Sequence, residues 1–279
     1  MKELTKQERR RLSRCPVGCQ RITKKVENLA DYISLIGAHL KAGKPFWFRG
    51  HRDVRWTLTP YALRPESVQL RDSGLRLLRE FKRIAEIKVD RPPESTGQEL
   101  KWMQLAQHYG IPTRLLDWTE SATFALFFAC ETSSARDQDG IVFLLNPEDL
   151  ISLKVRRHHT HGEQLITSLD AHLDETLIQD YFELGGALDR GKQALPTIAI
   201  RPVWNSERLM MQRGVFTLHG SRQFELDESQ APSLVGIPIL RDVKAGLQRE
   251  LERIGVDEMT LFPELEHACR HLKRREGLE

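Results

Sequence analysis

Polar side chains that could do chemistry are concentrated in three short stretches, each surrounded by dense apolar sequence. The stretches are FWFRGH at 46–51, QHYGIPTRLLDWT at 107–119 and NSERLMMQRGVFTLHG at 205–220. None of them contains a nucleophile elbow, a phosphate-binding glycine loop or a metalloprotease helix motif. The candidate residues are Arg49, Gly50, His51, His108, Tyr109, Thr113, Arg114, Asp117, Trp118, Thr119, Glu207, Gln212 and His219.

Arg49 is the most informative candidate because it directly follows the aromatic run at 46–48. Such an apolar strand is expected to be buried, and a buried guanidinium is unfavourable without an anionic partner. Either Asp117 or Asp53 supplies an internal ion pair, or a ligand supplies the negative charge. A planar guanidinium binds phosphate or carboxylate through two parallel hydrogen bonds, which lysine cannot match. In the ligand-binding interpretation, Gly50 allows the ligand to approach the backbone closely.

The residues of the other two stretches have structural interpretations beside the functional ones. Thr113 could be a strand residue and Thr119 a helix cap, where a hydroxyl contributes about 1 kcal/mol. His108 could cap a helix end, and Gln212 could lie on the surface of a short helix as readily as in a cleft. Asp117 stands between apolar residues in LLDW, where an unpaired buried carboxylate would be unfavourable.

The fold that positions these residues is predicted to be α+β, with a mixed β-sheet core and several packed helices, because strands and helices follow one another in mixed order. Strands are predicted at 45–48, 111–119, 139–145, 195–202, 214–220 and 234–240. Helices are predicted at 26–40, 74–88, 102–109, 120–131, 163–184, 206–213, 242–254 and 264–274. The helix at 120–131 is apolar on nearly every side, which indicates a buried position at the centre of the fold, with Cys130 as a core thiol.

Charge is distributed unevenly along an otherwise ordinary soluble sequence. The chain is 40% hydrophobic and 29% charged, which suits a sizeable core. Residues 1–25 carry nine Lys/Arg against two Glu, whereas the net charge of the whole chain is +3. This segment is predicted to be a basic N-terminal arm. The simplest interpretation is a solvated tail, and the alternative is contact with RNA, DNA or an acidic partner surface.

Targeting and metal-binding signals are weak. No apolar run approaches the ~18 residues that span a bilayer, and the N-terminus has no apolar signal core, so a cytoplasmic protein without membrane contact is expected. The four cysteines do not indicate a disulfide scaffold. CPVGC at 15–19 has no second Cys/His pair close by, and HHTH at 158–161 would complete a zinc site only by coincidence, so no metal site is predicted.

Four segments in a fixed order resemble the FRG domain family, which is named for a Phe-Arg-Gly motif. They are FWFRGHRDVRWTLTPYALR, LAQHYGIPTRLLDWTESATFALFFA, RLMMQRGVFTLHG and IGVDEMTLFPELEHAC, and the motif itself is Phe48-Arg49-Gly50. The resemblance runs from about residue 26 to 273 and implies an FRG domain at 26–279 that follows the arm at 1–25. It also implies a bacterial or phage-type protein, and it leaves the chemistry open.

A weaker similarity connects the chain with arginine-type ADP-ribosyltransferases. These enzymes carry, in order, a first-strand Arg followed by Gly, a second-strand Ser/Thr motif leading into a helix, and a late strand with Glu. The similarity implies a related fold and NAD as substrate. By it, Arg49 holds the NAD diphosphate or its neighbouring ribose, and Thr119 with Asp117 organises the nicotinamide side. Trp118 or Tyr109 stacks on the nicotinamide ring. The remaining residues of the expected cofactor-binding set are Gly50, His51, His108, Thr113 and Arg114.

The third element of that template is different in this chain. The template's Glu hydrogen-bonds the nicotinamide ribose and stabilises the cation that forms when the glycosidic bond breaks. The corresponding place here holds Gln212, with Glu207 shortly before it. Glutamine brings no negative charge, which removes about 3 kcal/mol of transition-state stabilisation. Glu207 could substitute if the segment folds back.

Three functional hypotheses follow from the sequence. The first is an NAD-dependent ADP-ribosyltransferase-like effector of the toxin or anti-phage defence type, with a nucleic-acid or protein acceptor and a cognate antitoxin as partners. The second is a binding module that holds a nucleotide or nucleic acid through Arg49, Arg114 and the basic arm, without turnover. The third is a metal-dependent hydrolase, which requires Asp117, Glu120 and Glu131 to converge.

Overall fold

The computed structural model describes residues 1–40, 43–64, 68–94, 98–131, 138–152, 169–170, 196–202, 206–220 and 224–278. The HHTH stretch at 158–161 lies outside these residues, as does most of the helix predicted at 163–184. Within that predicted helix, Leu169–Asp170 form a strand that pairs in parallel with Ile200 and Arg201. The helix prediction is therefore wrong at these two positions, because pairing at the sheet edge overrides the local helical pattern.

The described strands form one mixed sheet. They are β1 Gln20–Arg21, β2 Trp47–His51, β3 Leu115–Thr119, β4 Gly140–Leu145, β5 Leu169–Asp170, β6 Ile198–Arg201, β7 Gly214–Leu218 and β8 Val235–Ile239. Their order in the sheet is β1-β8-β4-β2-β3-β7-β6-β5. The inner strands pair antiparallel, whereas the edge strands β1 and β5 pair parallel to their neighbours. The α+β prediction is confirmed.

The longer helices agree with the predicted ones, with ends shifted by a few residues. They are α2 Leu29–His39, α3 Val68–Lys88, α4 Glu99–His108, α5 Ala122–Cys130, α8 Arg241–Arg253 and α10 Leu265–Arg275. The short helix α7 Glu207–Met211 begins after Ser206, whose side chain caps it as predicted. The sequence does not predict α1 Lys6–Leu12, α6 Glu148–Ser152 or α9 Glu258–Leu261, since helices of one or two turns show little periodicity. No helix in the described residues combines the length and the hydropathy needed to cross a membrane.

Helix α5 lies against β2 and β4 at the centre of the sheet, as its apolar sequence predicts. Ala125 and Ala129, one helical turn apart, are fully buried. A Cβ atom added to Gly50 would lie 1.9 Å from the carbonyl oxygen of Ala125, and one added to Gly140 would lie 2.6 Å from that of Ala129. Neither strand position can therefore carry a side chain under the helix. Cys130 is a core residue, as predicted, whereas Phe128 is only partly buried.

The N-terminal segment is packed against the sheet. Its buried residues are Leu4, Leu12, Cys15 and Val17. They belong to the same apolar cluster as Trp47 of β2. Strand β1 adds an edge to the sheet beside β8, and Arg11 lies 3.2 Å from a carboxylate oxygen of Asp139. The interpretation of residues 1–25 as a solvated tail is wrong, because apolar residues spaced between the charges give this segment a buried side.

Candidate functional site: a cavity at an opening in the sheet

The central strands β2 and β3 pair over a much shorter length than they pair with their other neighbours. In the described residues, β2 is paired with β3 only at Phe48 and Thr119. In contrast, all five residues of β2 pair with β4, and all five residues of β3 pair with β7. The sheet therefore opens between β2 and β3 beyond that single pair.

A cavity of about 450 Å³ lies at this opening. Its volume falls in the range of small-molecule sites, roughly 300–1,000 Å³. Strands β2 and β3, helices α4 and α5 and the residues around α7 all contribute to its wall. The wall includes Arg49, Gln104, Gln107, Asp117, Phe128 and Gln212.

The Arg49 side chain bridges the two separated strands. Its Nε donates a hydrogen bond of 2.9 Å to Nε2 of His51, and its Nη1 donates to the backbone carbonyl of Asp117. The nearest carboxylate oxygen of Asp117 lies 4.0 Å from Nη1. A side chain thus satisfies a β3 carbonyl at a point where β2 provides no ladder partner.

The positive charge of Arg49 is only weakly balanced within the protein. The Arg49 side chain is 19% exposed, whereas that of Asp117 is 63% exposed, so this long pair contributes little. Burial lowers the pKa of Arg49 to about 10, against the opposing effect of the Asp117 charge, and the guanidinium keeps its proton at pH 7. The other predicted partner, Asp53, pairs instead with Arg55 at 2.6 Å.

His51 and Gly50 support Arg49 and the sheet. His51 is 2% exposed and lies outside the cavity wall. Because its Nε2 accepts a hydrogen bond from Arg49, Nδ1 carries the proton of the neutral ring. Burial, followed by the charge of Arg49, holds the pKa of His51 well below its usual 6.5. Gly50 borders the cavity, but its contact with α5 is a sufficient reason for glycine, so ligand access need not explain it.

Asp117 is oriented by hydrogen bonds from α4. Nε2 of Gln107 donates to Oδ1 of Asp117 at 2.7 Å, and the Thr113 hydroxyl donates to Oε1 of Gln107. Thr113 is buried and outside the cavity wall, so it acts through Gln107. The expectation that the carboxylate in LLDW is buried is wrong. Successive side chains of a strand point to opposite faces, and Asp117 is exposed between the buried Leu116 and Trp118.

Trp118 is engaged in the protein interior. Its indole N–H donates to Oγ1 of Thr217 at 3.1 Å. Thr217 in turn lies 2.9 Å from Nε2 of His219, whose Nδ1 lies 2.9 Å from the carbonyl of Phe224. Burial lowers the pKa of His219 to about 3, so Thr217 donates to the neutral ring and Nδ1–H donates to Phe224. Trp118 borders the cavity, but it is 3% exposed, so little of its ring surface is available for stacking, whereas Tyr109 lies outside the cavity wall.

The Thr119 hydroxyl connects β3 with the end of α7. It donates to the carbonyl of Gln212 at 2.7 Å and accepts from the backbone N–H of Ser121 at 3.0 Å. The N-cap of α5 is Ser121, so the prediction that Thr119 caps this helix is wrong by two residues. The Gln212 side chain donates to the carbonyl of Leu261 at 2.9 Å. Glu207 begins α7 outside the cavity wall, so it does not replace the template's Glu.

The remaining candidates divide between the cavity and the outside. His108 borders the cavity at the end of α4. Arg114 lies outside the wall and donates to the carbonyl of Gly220 at 3.4 Å. Asp117 and Glu131 border the cavity, whereas Glu120 lies outside its wall and pairs with Arg201 at 2.8 Å. The described part of the chain contains no cluster of three potential metal ligands, so it does not bring together the three carboxylates that the hydrolase hypothesis requires.

Comparison with known proteins identifies the part of the chain that forms the opening. The family model of the FRG domain matches residues 44–138. The chain contains an FRG domain. No curated protein and no solved structure matches the chain. The matched part of the FRG domain includes β2, β3, α4 and α5, whereas the wider domain from 26 to 279 stays a prediction.

Gln104, Gln107 and Trp56 are among the cavity residues that sequence reasoning missed. The two glutamines precede His108 at helical spacing, so these three side chains form a polar stripe on α4. This stripe is the sequence signal that could have identified the two glutamines. Trp56 is 43% exposed, and the guanidinium of Arg52 lies 5.1 Å from its ring centre. Trp56 therefore offers the cavity a more exposed aromatic surface than Trp118 does.

Proposed function

We propose that the FRG domain binds a nucleotide in this cavity, with Arg49 holding a phosphate group, and that NAD is this nucleotide. The observation that carries the proposal is the charge of Arg49, a largely buried guanidinium at the cavity wall whose nearest carboxylate among the described residues lies 4.0 Å away. A phosphate at the opening would provide the bidentate partner that Asp117 does not.

The proposed reaction is ADP-ribosyl transfer. The bond between nicotinamide and C1′ of the ribose breaks, and its electron pair leaves with nicotinamide. An acceptor oxygen or nitrogen then attacks C1′ and releases its proton. A carboxylate would stabilise the intermediate positive charge. Asp117 and Glu131 are the carboxylates of the cavity wall. Asp117 is the better placed, because Glu131 is paired with Arg52 at 3.2 Å.

A non-catalytic nucleotide-binding module is the second candidate, and one observation favours it. The Gln212 amide, at the position of the template's Glu, brings no charge and is used to hold the carbonyl of Leu261. Binding through Arg49 would survive this difference, whereas bond cleavage would lose part of its transition-state stabilisation.

Titration with NAD and ADP-ribose tests binding, with thermal unfolding and calorimetry as readouts. A ligand that binds only the folded state should stabilise it by about 2.7 kcal/mol at a hundredfold excess over Kd. Arg49→Lys should weaken binding at least about tenfold, because lysine loses the bidentate geometry. The matched control is Arg83→Lys, since Arg83 is an exposed α3 residue that pairs with Glu80 in its own helix. This control should bind like the wild type.

Nicotinamide release, measured by chromatography with candidate protein and nucleic-acid acceptors, separates the enzyme from the binding module. Release that requires Asp117 supports transfer, whereas tight binding without release supports the module. If the folded protein binds neither NAD nor ADP-ribose, or if Arg49→Lys binds as tightly as the control, the proposed site is wrong.

A further inference from the structure

Gln104 on α4 is a buried amide in the cavity wall for which the described part of the chain provides no hydrogen-bond partner. The residue is 6% exposed and borders the cavity. Among the described residues, neither its Nε2 nor its Oε1 finds a partner. Buried polar side-chain atoms in native proteins are nearly always paired, because removing them from water without a replacement is unfavourable. Packing alone would be served better by an apolar side chain of similar size.

Two other glutamines show how this fold normally treats an amide. Gln107, on the next turn of α4, donates to Asp117 and accepts from Thr113. Gln230 is also 6% exposed, and its Nε2 donates to the carbonyl of Glu225 at 2.9 Å. Gln104 differs from both in that its donor and its acceptor are unused among the described residues, and it borders the cavity at the opening, whereas Gln230 does not line that cavity.

We infer that Gln104 recognises a donor–acceptor edge of the ligand, meaning an N–H group next to a hydrogen-bond acceptor. An amide pairs with such an edge through two hydrogen bonds at once. Two parts of a dinucleotide present this chemistry: the carboxamide of nicotinamide and the amino edge of adenine. The inference rests on the proposed nucleotide site. Arg49 supplies affinity for phosphate, and Gln104 supplies selectivity for one ring system.

The pair Gln104→Met and Gln230→Met tests this assignment, because methionine keeps the approximate length of the side chain and removes both polar atoms. In the free protein, Gln104→Met should leave the unfolding midpoint unchanged or raise it, since no internal hydrogen bond is lost. Gln230→Met should lower the midpoint. Toward NAD, Gln104→Met should weaken binding about 10- to 100-fold, whereas Gln230→Met should bind like the wild type.

Two altered dinucleotides identify which ring Gln104 reads. Nicotinic acid adenine dinucleotide replaces the carboxamide with a carboxylate that has no donor, and a dinucleotide with N6,N6-dimethyladenine removes the donor from adenine. The wild type should bind one of them at least about tenfold more weakly than NAD. Gln104→Met should no longer make that distinction.

Several outcomes would overturn the inference. One is a Gln104→Met protein that loses as much stability as Gln230→Met, because Gln104 would then have an internal structural role. Another is unchanged NAD affinity in Gln104→Met, or equal binding of all three dinucleotides by the wild type. If binding depends on Arg49 but not on Gln104, the nucleotide site stands and only the role of Gln104 fails. If no nucleotide binds, both proposals fail together.

Discussion

The two edges of the central strand β2 differ sharply. Toward β4, every residue of the strand is paired, and α5 packs so closely that Gly50 and Gly140 leave no room for a Cβ atom. Toward β3, the described residues pair only at Phe48 and Thr119, and the Arg49 side chain spans the opening. One edge of the strand is a closed packing contact, and the other is a polar opening beside a cavity.

Two arginines near this strand show a similar contrast, because the protein neutralises the charge of one of them much more completely than that of the other. Arg55 donates to both carboxylate oxygens of Asp53, at distances of 2.6–3.1 Å, and Asp53 is 5% exposed. Arg49 lies 4.0 Å from the exposed carboxylate of Asp117. The first arginine satisfies an acid of the protein itself, whereas the second keeps bonding capacity for an outside anion. The complete pairing of β2 with β4 fixes the backbone from which that second side chain extends.

The largest expected loss of folding stability comes from a substitution on the closed side of β2, which pairs with β4 and packs against α5. Gly50→Ala should destabilise the protein by more than about 3 kcal/mol or abolish folding, because the new methyl group would collide with the backbone of α5. Soluble yield and urea unfolding measure the change. The matched control is Gly37→Ala in α2, where an added Cβ meets no atom within 4 Å.

Gly37→Ala should be neutral or stabilising by up to about 1 kcal/mol, because alanine is the better helix former. If Gly50→Ala loses no more stability than this control, then α5 can move away from β2, and the closed edge is not rigid.

A smaller loss of folding stability is expected at low pH, and it comes from His219 on the β3 side of the opening. His219 has a folded-state pKa of about 3, caused mainly by burial and opposed by its hydrogen bond to Phe224. An unfolded histidine titrates near 6.5. Between these values the unfolded chain binds a proton that the native ring does not, so stability is complete above about pH 6.5 and falls as the pH decreases. From pH 7 to pH 5 this one residue should remove about 2 kcal/mol.

Urea unfolding of the wild type and His219→Gln at pH 7 and pH 5 measures this contribution. The variant should be less stable at pH 7, because it loses a buried hydrogen bond, but it should lose less stability between the two pH values. The buried His51 acts in the same direction, so part of the pH dependence should remain. Equal pH dependence in both proteins would show that His219 does not stay neutral in the folded state.

The smallest change is expected when Arg49 is removed from the ligand-free protein. Arg49→Met loses two hydrogen bonds but also relieves a largely buried charge, so stability should change by less than about 1 kcal/mol. Arg55→Met should lower the unfolding midpoint further, since it leaves the buried Asp53 without its guanidinium partner. Thermal unfolding of both variants measures the difference. A larger loss in Arg49→Met would make Arg49 an internal structural residue and contradict the contrast between the two arginines.

Local patterns were sufficient to predict most elements around the site. The central helix predicted at 120–131 and the Ser206 cap are confirmed, because periodicity and capping depend on residues close together in the chain. The strand predicted at 45–48 is present but shifted to 47–51, so that it includes Arg49. Roles that depend on distant contacts were harder to predict. Trp118 is engaged by Thr217, Gln212 is engaged by Leu261, and neither partner is near in sequence.

The sequence by itself determined the α+β class, the FRG segment and the choice of Arg49 as the central residue, since a guanidinium next to a buried aromatic strand needs an anionic partner. Only the tertiary structure decided that β2 and β3 separate after one pair, that the N-terminal segment is packed, and that Gln104 is the unpaired amide. The physical reason is that strand register and side-chain partners are set by packing between segments far apart in the chain. A single sequence contains no direct signal for those contacts.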